Sequence, residues 1–322
     1  MYTINLGNVY VNDYYSIGGP DEGESNIRNY DLIMKDLDYG ESTFENAEVK
    51  MQKTVLSNLL SRNKVDLVIG GDLSNQIGIM NKSMEYFNLP FIGVYNACAT
   101  FIESLIIASS FIGSKMSKSI VTLTSSHVNS SERQFRFPIE YGSIRKNYQT
   151  TTMTGAIGAV LSSKKSKIKL ISATIGNVID YDVTDVANMG SIMAPAASNT
   201  IYNHLKNTKT TIDDYDAIIT GDLGSLGLKI LTNLLKLEHG IITDKIMDAG
   251  SLMFRCHQEK LAGASGPTVL PIFFFNHILR DKKYKRVLLI GTGALHNPTM
   301  VNQHNSIPAI AHLIEIEVNH DN

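Results

Sequence analysis

The chain has 322 residues, of which 43% are hydrophobic and 19% are charged, with 29 basic and 31 acidic side chains. A chain of this length can bury a large core, and a formal charge of -2 lacks the positive excess typical of nucleic-acid-binding proteins. The composition therefore predicts a globular protein with one large domain or two smaller ones, and no nucleic-acid partner.

The cysteine content and the first residues indicate the cellular compartment in which the protein is expected. Two cysteines, Cys98 and Cys256, are too few for a disulfide framework, which favours a reducing, cytoplasmic setting. No Cys/His spacing fits a metal site with four ligands. The first 15 residues lack the basic and apolar regions of a signal peptide. The stretch 262–279 contains two prolines and is predicted to be a buried helix rather than a membrane span, so no direct membrane insertion is expected.

Strands and helices alternate in the first half of the chain. A strand near residues 8–12 precedes a polar loop that reaches residue 45. Apolar periodicity then predicts helices at 46–62, 75–87 and 97–113 and strands at 65–72, 91–94 and 119–126. Such alternation indicates an α/β fold with a mostly parallel sheet covered on both faces.

The second half repeats this order. Strands are predicted at 215–222, 285–293 and 307–318, and helices at 225–237 and 267–281. The segment VDLVIGGD at 65–72 aligns with YDAIITGD at 215–222, and KSIVTLTSS at 118–126 aligns with KRVLLIGTG at 285–293. The second alignment places Cys98 over Ser265.

This repetition predicts two duplicated halves, residues 1–165 and 166–322. Their equivalent helix starts would meet near a pseudo-twofold axis. Buried parallel strands are all rich in Val, Ile and Leu, so similarity between two single strands would mean little. Three elements that recur in the same order support the duplication.

Cys98 is the first candidate site residue. It follows the predicted strand at 91–94 and opens an apolar helix, where unpaired backbone N–H groups and the helix dipole favour a thiolate or a bound carboxylate. A free cysteine is also a common small core residue. His127 and His296 follow the strands at 119–126 and 285–293, and site residues gather at the carboxyl ends of such strands. Cys256 has no comparable context.

Several segments closely resemble the stage V sporulation protein AD (SpoVAD) family: GVYNACATFIESL, SSHVNSSERQFRFPIEYG, ITGDLGSLG, LAGASGPTV and GTGALHNP. The resemblance runs from about Asn8 to the C-terminus. It implies a thiolase-like fold with layered α/β/α/β/α architecture, and a homodimer. It also implies that the chain binds dipicolinic acid, as such or as its calcium chelate, and assists its uptake into the developing spore. The implied partners are other SpoVA membrane proteins, which would hold this protein at the inner spore membrane.

The same resemblance implies that catalysis has been lost. β-Ketoacyl synthases of the initiating type share the fold and use Cys, His and Asn, whereas the matching segments here read Gly221-Asp222-Leu223-Gly224 and Ala262-Gly263-Ala264-Ser265. An oxyanion donor contributes about 3 kcal/mol, and general acid–base catalysis roughly 10²–10⁴-fold. We therefore expect a binding protein without a cofactor or metal, in which glycines leave room beside Cys98.

The predicted ligand-binding residues are Cys98, Asn96, Ser126, His127, Gly221, Gly263, Ser265 and His296. Arg133 and Arg136 suit a carboxylate but are expected at the subunit interface. Two alternatives stay open. One is an acyltransferase or β-ketoacyl synthase that uses Cys98 as nucleophile, with His127 or His296 as base. The other is a scaffold that docks onto a membrane complex.

Overall fold

The computed structural model of the chain describes residues 1–138, 141–142, 144–258 and 260–320. Ile139 and Glu140 of the SSHVNSSERQFRFPIEYG segment therefore lie outside the described residues. The strands are β1 Tyr2–Gly18, β2 Leu32–Ile33, β3 Leu67–Asp72, β4 Phe91–Gly93, β5 Ser119–Ser126, β6 Thr151–Thr152, β7 Gly155–Ser162, β8 Ile168–Ile175, β9 Ala217–Thr220, β10 Ile246–Asp248, β11 Ala264–Ser265, β12 Arg286–Ala294 and β13 Ala309–Val318. The α-helices are α1 Pro20–Gly23, α2 Phe44–Arg62, α3 Gly78–Met84, α4 Thr100–Gly113, α5 Val128–Phe135, α6 Met189–Thr208, α7 Gly224–His239, α8 Ala249–Met253, α9 Val269–Asn276 and α10 Pro298–Asn302.

The main sheet consists of two runs of five strands with the same strand order. One run is β4-β3-β5-β7-β1 and the other is β10-β9-β12-β13-β8. In each run the first three strands are parallel, and the last two pairings are antiparallel. β1 and β8 pair antiparallel and join the two runs, while β2 pairs with β1. The equivalent strands are thus β3 and β9, β4 and β10, β5 and β12, β7 and β13, and β1 and β8.

Helices cover and separate these two runs. α2 packs on β1, β5 and β7, whereas α6 and α7 pack on each other and α6 covers β12 and β13. α4 lies between the runs and contacts strands of both, so the helices form outer, middle and outer layers. The largest apolar cluster surrounds α4 and α9, and a separate cluster lies under each outer layer. This arrangement confirms the predicted α/β class and its five-layer order. The sheet is not mostly parallel as predicted, because β1, β7, β8 and β13 pair antiparallel with their neighbours in the two runs.

Several predicted elements need correction. The first strand is 17 residues long rather than a short strand followed by a loop. It is longer because β7 and β8 satisfy its backbone groups on both sides. The predicted helix at 267–281 ends at Asn276 and continues only as a 3₁₀ turn, Ile278–Arg280. Between β5 and β9 the chain also forms elements beyond those predicted, among them β7, β8 and the 20-residue α6.

None of the helices in the described ranges combines the length and the apolar character needed to cross a membrane.

Buried carboxyl groups give the fold an unusual pH dependence. Burial raises the pKa of Glu48, with the nearby Asp72 adding to the shift, and burial also raises the pKa of Glu22 to about 7. At neutral pH the folded chain therefore holds protons that the unfolded chain has released. Burial lowers the pKa of His204 and of His312 to about 4, so these two histidines are neutral in both states above about pH 7.

We expect the free energy of unfolding to fall as the pH rises from 7 to 8.5. The free energy of unfolding can fall by at most about 1.4 kcal/mol per pH unit for each proton that the folded state retains and the unfolded state has released. Denaturant titrations at three pH values measure this slope. Glu48→Gln should reduce this slope, because it removes one of the groups that retain a proton in the folded state. The Ser125 and Ser130 hydroxyls that donate to Glu48 can also accept, so both can still hydrogen-bond to the glutamine. A free energy of unfolding that rises over this pH range would show that the buried carboxyl groups do not retain their protons in the folded chain.

Candidate functional site

Cys98 lies in a 3₁₀ turn, Ala97–Ala99, that leads into α4. Ala97 adopts a φ of +49°, which is uncommon for a residue with a side chain. The backbone N–H of Asn96 donates to the Thr100 hydroxyl at 3.0 Å, and that hydroxyl donates to the Ala97 carbonyl at 2.7 Å. These bonds hold the turn that presents the Cys98 side chain, so the cysteine precedes the α-helix rather than opening it.

The Asn96 side chain supports this turn on the side that faces β13. Its Nδ2 lies 3.1 Å from Nε2 of His312 on β13, and Nδ1 of His312 accepts the Gly176 N–H at 3.2 Å. A side chain at Gly293 of β12 would lie 2.4 Å from the Asn96 carbonyl oxygen. Only glycine at this position lets the central strand approach the cysteine turn so closely.

The thiol of Cys98 faces the carboxyl group of Asp222, which follows β9. The carboxyl group and the backbone N–H of Gly266 act on the sulfur with opposite effects on its pKa. The same Gly266 N–H lies 3.0 Å from Oδ2 of Asp222, and the Thr292 hydroxyl donates to Oδ1 at 2.8 Å. Gly266 has a φ of +119°, a conformation that glycine adopts readily.

These contacts keep the thiol protonated. Burial raises the pKa of Cys98 well above its usual range, and the charge of Asp222 adds to the shift. The Gly266 N–H and Arg136 oppose the shift without reversing it. Burial also raises the pKa of Asp222 to about 6. The expectation that the helix start produces a thiolate is therefore wrong, because desolvation and a neighbouring carboxylate outweigh the dipole.

We expect iodoacetamide at pH 7.5 to modify Cys98 far more slowly than Cys256. Cys256 is exposed, whereas the Cys98 thiol is held protonated, and the thiolate is the nucleophile. Peptide mass spectrometry reads both rates in one sample, so Cys256 serves as the internal control. Asp222→Asn should accelerate modification of Cys98 because it removes the neighbouring charge. Equal rates at the two cysteines in the native chain would show that this description of the thiol is wrong.

Cys98 opens onto a small cavity between the two halves. The cavity volume is about 40 Å³, which is room for two or three water molecules. The apolar part of its wall consists of Leu73, Tyr95, Phe135, Met189 and Met193. The polar part consists of Cys98, Arg136, Thr152, Asp222, Ser265 and His296. The expected enlargement of the site by glycine is not found, because the Asp222 side chain occupies the space beside the sulfur.

Arg136 reaches this cavity from the end of α5. Its Nε and Nη2 donate to the two carboxyl oxygens of Glu132 at 2.8 and 2.6 Å. Glu132 also accepts the N–H and hydroxyl of Thr152 at 3.2 and 3.1 Å. The side chains of Arg136 and Glu132 are only 7% and 3% exposed. Arg136 lines the cavity, and its Nη1 is buried without a hydrogen-bond partner. This nitrogen can therefore donate to a ligand.

His296 lies on the same cavity. The residue is 6% exposed, and both ring nitrogens are without a hydrogen-bond partner. Its ring packs edge-on against Phe135, with the centroids 5.3 Å apart. Burial lowers the pKa of His296, so at neutral pH the ring is uncharged and offers one N–H donor and one acceptor.

Of the eight predicted ligand-binding residues, Cys98, Ser265 and His296 line the cavity. Ser265 is placed there by the short pairing of β11 with β6. His127 lies elsewhere: its Nε2 is 2.9 Å from the Leu37 carbonyl, and its Nδ1 accepts the Asn129 N–H at the start of α5.

The other four surround the site without lining it. The Ser126 hydroxyl donates to the Met153 carbonyl and lies 3.1 Å from the Thr268 hydroxyl. Asn96 holds the cysteine turn on the side that faces β13. A side chain at Gly221 would make only ordinary contacts, the nearest 3.5 Å from Leu270. One at Gly263 would meet the Gly250 carbonyl at 2.4 Å, so close backbone packing requires glycine there.

Asp222 and Arg136 are the site residues that the sequence argument missed. The recurrence of Gly-Asp after β3 and β9 was a usable signal for Asp222, since site residues gather at strand ends. Arg136, which suited a carboxylate but was placed at a subunit interface, lines the cavity, whereas Arg133 forms an ion pair with Glu45. In the described ranges, no three His, Cys, Asp or Glu residues are grouped as metal ligands.

Comparison with known proteins agrees with this fold. Two solved structures of cerulenin-bound Xanthomonas campestris OleA superpose with TM-scores of 0.63 for a soaked crystal and 0.61 for a co-crystal. Identity is 12% and 13%, and the matches cover 98% of this chain and 100% and 98% of those chains. This likeness establishes the thiolase-like fold alone.

The sequence comparisons go further. Stage V sporulation protein AD of Bacillus subtilis (strain 168) is 35% identical over 318 residues, covering 96% of this chain and 94% of that protein. The family model for Stage V sporulation protein AD (SpoVAD) matches residues 2–317. The chain therefore belongs to the stage V sporulation protein AD family.

Proposed function

We propose that this protein binds dipicolinic acid in the Cys98 cavity and assists its uptake into the developing spore, without catalysing a reaction. Membership in the sporulation family supports a role in sporulation. The ligand is the one that the family resemblance implies, and the chemistry of the cavity supports it. Dipicolinic acid is a flat aromatic ring with two carboxyl groups, so a matching site needs apolar walls and separate donors for each anion.

One observation carries the proposal: Arg136 and His296 both present buried nitrogens without partners on the same cavity. Buried polar groups are nearly always hydrogen-bonded in native proteins, so two unpaired side chains on the same cavity indicate a ligand that pairs with both. An arginine N–H and an imidazole N–H both match carboxylate oxygens. Phe135 and Tyr95 provide aromatic surface for the ring.

The cavity must open to admit such a ligand, because its volume of about 40 Å³ is too small for a six-membered ring. Phe135 at the end of α5 and Met189 at the start of α6 are part-exposed and apolar. Rotation of these two side chains breaks no side-chain hydrogen bond. We propose that they form the entrance.

Calorimetry with dipicolinate, with and without calcium, tests the proposal. We expect saturable binding and a weaker affinity for pyridine-2-carboxylate, which has a single carboxyl group. Cys98→Phe should abolish binding by filling the cavity, and Cys256→Phe is the matched control on the exposed cysteine. The proposal fails if millimolar dipicolinate produces no binding heat.

A second candidate is acyl transfer through Cys98. The carboxyl group of Asp222 beside the thiol favours it, since a carboxylate at this position can accept the thiol proton. The raised pKa of Cys98 argues against it at neutral pH. Intact-mass measurement after incubation with acyl-CoA donors distinguishes the two functions: a stable adduct on Cys98 favours acyl transfer.

For the assembly, we propose a homodimer in the cytoplasm that reaches the inner spore membrane through other SpoVA membrane proteins. A near-neutral net charge offers little attraction for anionic lipid. The purified protein should therefore fail to float with liposomes alone and should co-purify with SpoVA membrane proteins. Flotation without those partners would contradict this arrangement.

A further inference from the structure

We propose that an anion bound in the Cys98 cavity brings a proton with it, and that Asp222 carries this proton. The inference rests on the proposed function, since it requires that the cavity takes an anionic ligand. The binding of the ligand is coupled to the uptake of one proton, so the affinity depends on pH.

The position of Asp222 is the first reason. The residue is 1% exposed, and its carboxyl oxygens receive hydrogen bonds from two neutral donors, the Thr292 hydroxyl and the Gly266 N–H. The neutral Cys98 thiol lies beside the carboxyl group. The two cationic or basic side chains on the cavity are bound elsewhere or uncharged. Arg136 is clamped by Glu132, and His296 is neutral at pH 7.

A ligand carboxylate in this cavity would therefore face a second buried negative charge. Two carboxylates that share a water-poor site cannot both ionise without a large cost, and one of them takes up a proton. The titratable or charged groups that surround Asp222 or face it across the cavity are Cys98, Asp248, Arg136, His296 and Tyr95. Asp248 is itself an acid, so it disfavours the ionised form of Asp222 further.

The hydrogen-bond geometry can accommodate the added proton. The Thr292 hydroxyl donates to the ionised carboxyl, and both this hydroxyl and the neighbouring Cys98 sulfur can act as acceptors. When Asp222 is protonated and donates to the sulfur, the hydrogen of the thiol is free to turn towards the ligand. The proton comes from solvent, and no bond other than hydrogen bonds is formed or broken.

Calorimetry of dipicolinate binding at pH 7, in buffers of different ionisation enthalpy, counts the protons exchanged. For the native chain we expect uptake close to one proton per ligand, which falls towards zero at pH 5, where Asp222 is already protonated. The dissociation constant should rise by up to about tenfold per pH unit above pH 6.

Asp222→Asn is the informative variant, because Asn can accept from the Gly266 N–H and donate to Thr292. It should bind dipicolinate with little change in affinity between pH 6 and 8 and without proton uptake. Glu48→Gln removes another buried acid, away from the cavity, and should leave the uptake at its native value.

The inference is overturned if the native chain binds without proton uptake, or if Asp222→Asn retains the uptake. Absence of any binding by the native chain removes the proposed function, and this inference with it. Binding of the expected affinity without proton exchange removes the inference alone.

Discussion

His296→Leu is expected to weaken dipicolinate binding by at least tenfold without lowering the thermal midpoint. A hydrogen bond to a charged group contributes about 1.5–3 kcal/mol, which corresponds to a roughly 10–150-fold change in affinity. The ring nitrogens of His296 have no partner in the protein, so the substitution breaks no internal hydrogen bond. Leucine has a similar volume and preserves the apolar contact with Phe135. Calorimetry and a thermal melt measure the two quantities.

His127→Leu is the matched control, because the two histidines follow the equivalent strands β5 and β12. His127 bonds the Leu37 carbonyl and the start of α5, so its loss should lower stability by about 1–3 kcal/mol. It does not line the cavity, and affinity should be retained. The site assignment is wrong if His296→Leu binds as tightly as the native chain, or if both variants lose affinity equally.

Arg136→Met should lower the free energy of unfolding by about 3–5 kcal/mol and also abolish ligand binding. Removing one partner of a buried ion pair leaves an uncompensated charge, here the carboxylate of Glu132. The donors from Thr152 remain, but the two strongest contacts of the carboxylate are lost. Denaturant titration measures the stability, and calorimetry measures the binding at a temperature where the variant is folded.

The double variant Glu132→Gln with Arg136→Met separates the two roles of this arginine. A neutral glutamine can accept from Thr152 and carries no buried charge, so we expect most of the stability to return. Ligand affinity should not return, because the Nη1 donor is still missing. Full recovery of binding in the double variant would show that Arg136 acts on the ligand only through the fold.

Local patterns were enough to predict most strands and helices of both halves. The predicted helix at 46–62 and strand at 119–126 match α2 and β5, because each carries the periodicity of a half-buried or fully buried element. The repeat of VDLVIGGD in YDAIITGD correctly paired β3 with β9. The length of β1 was not predictable in this way, since it depends on strands β7 and β8, more than 130 residues away in sequence.

Periodicity and the repeated segments were sufficient to predict the fold class and the duplicated order of the elements, and the turn before α4 made Cys98 a candidate site residue. The chemistry around that thiol depends on tertiary packing. Asp222, Arg136 and His296 come from three distant segments and meet because the two halves close on each other. The protonation of Asp222 and of His296 depends on burial, and burial is a property of the packed chain rather than of neighbouring residues in sequence.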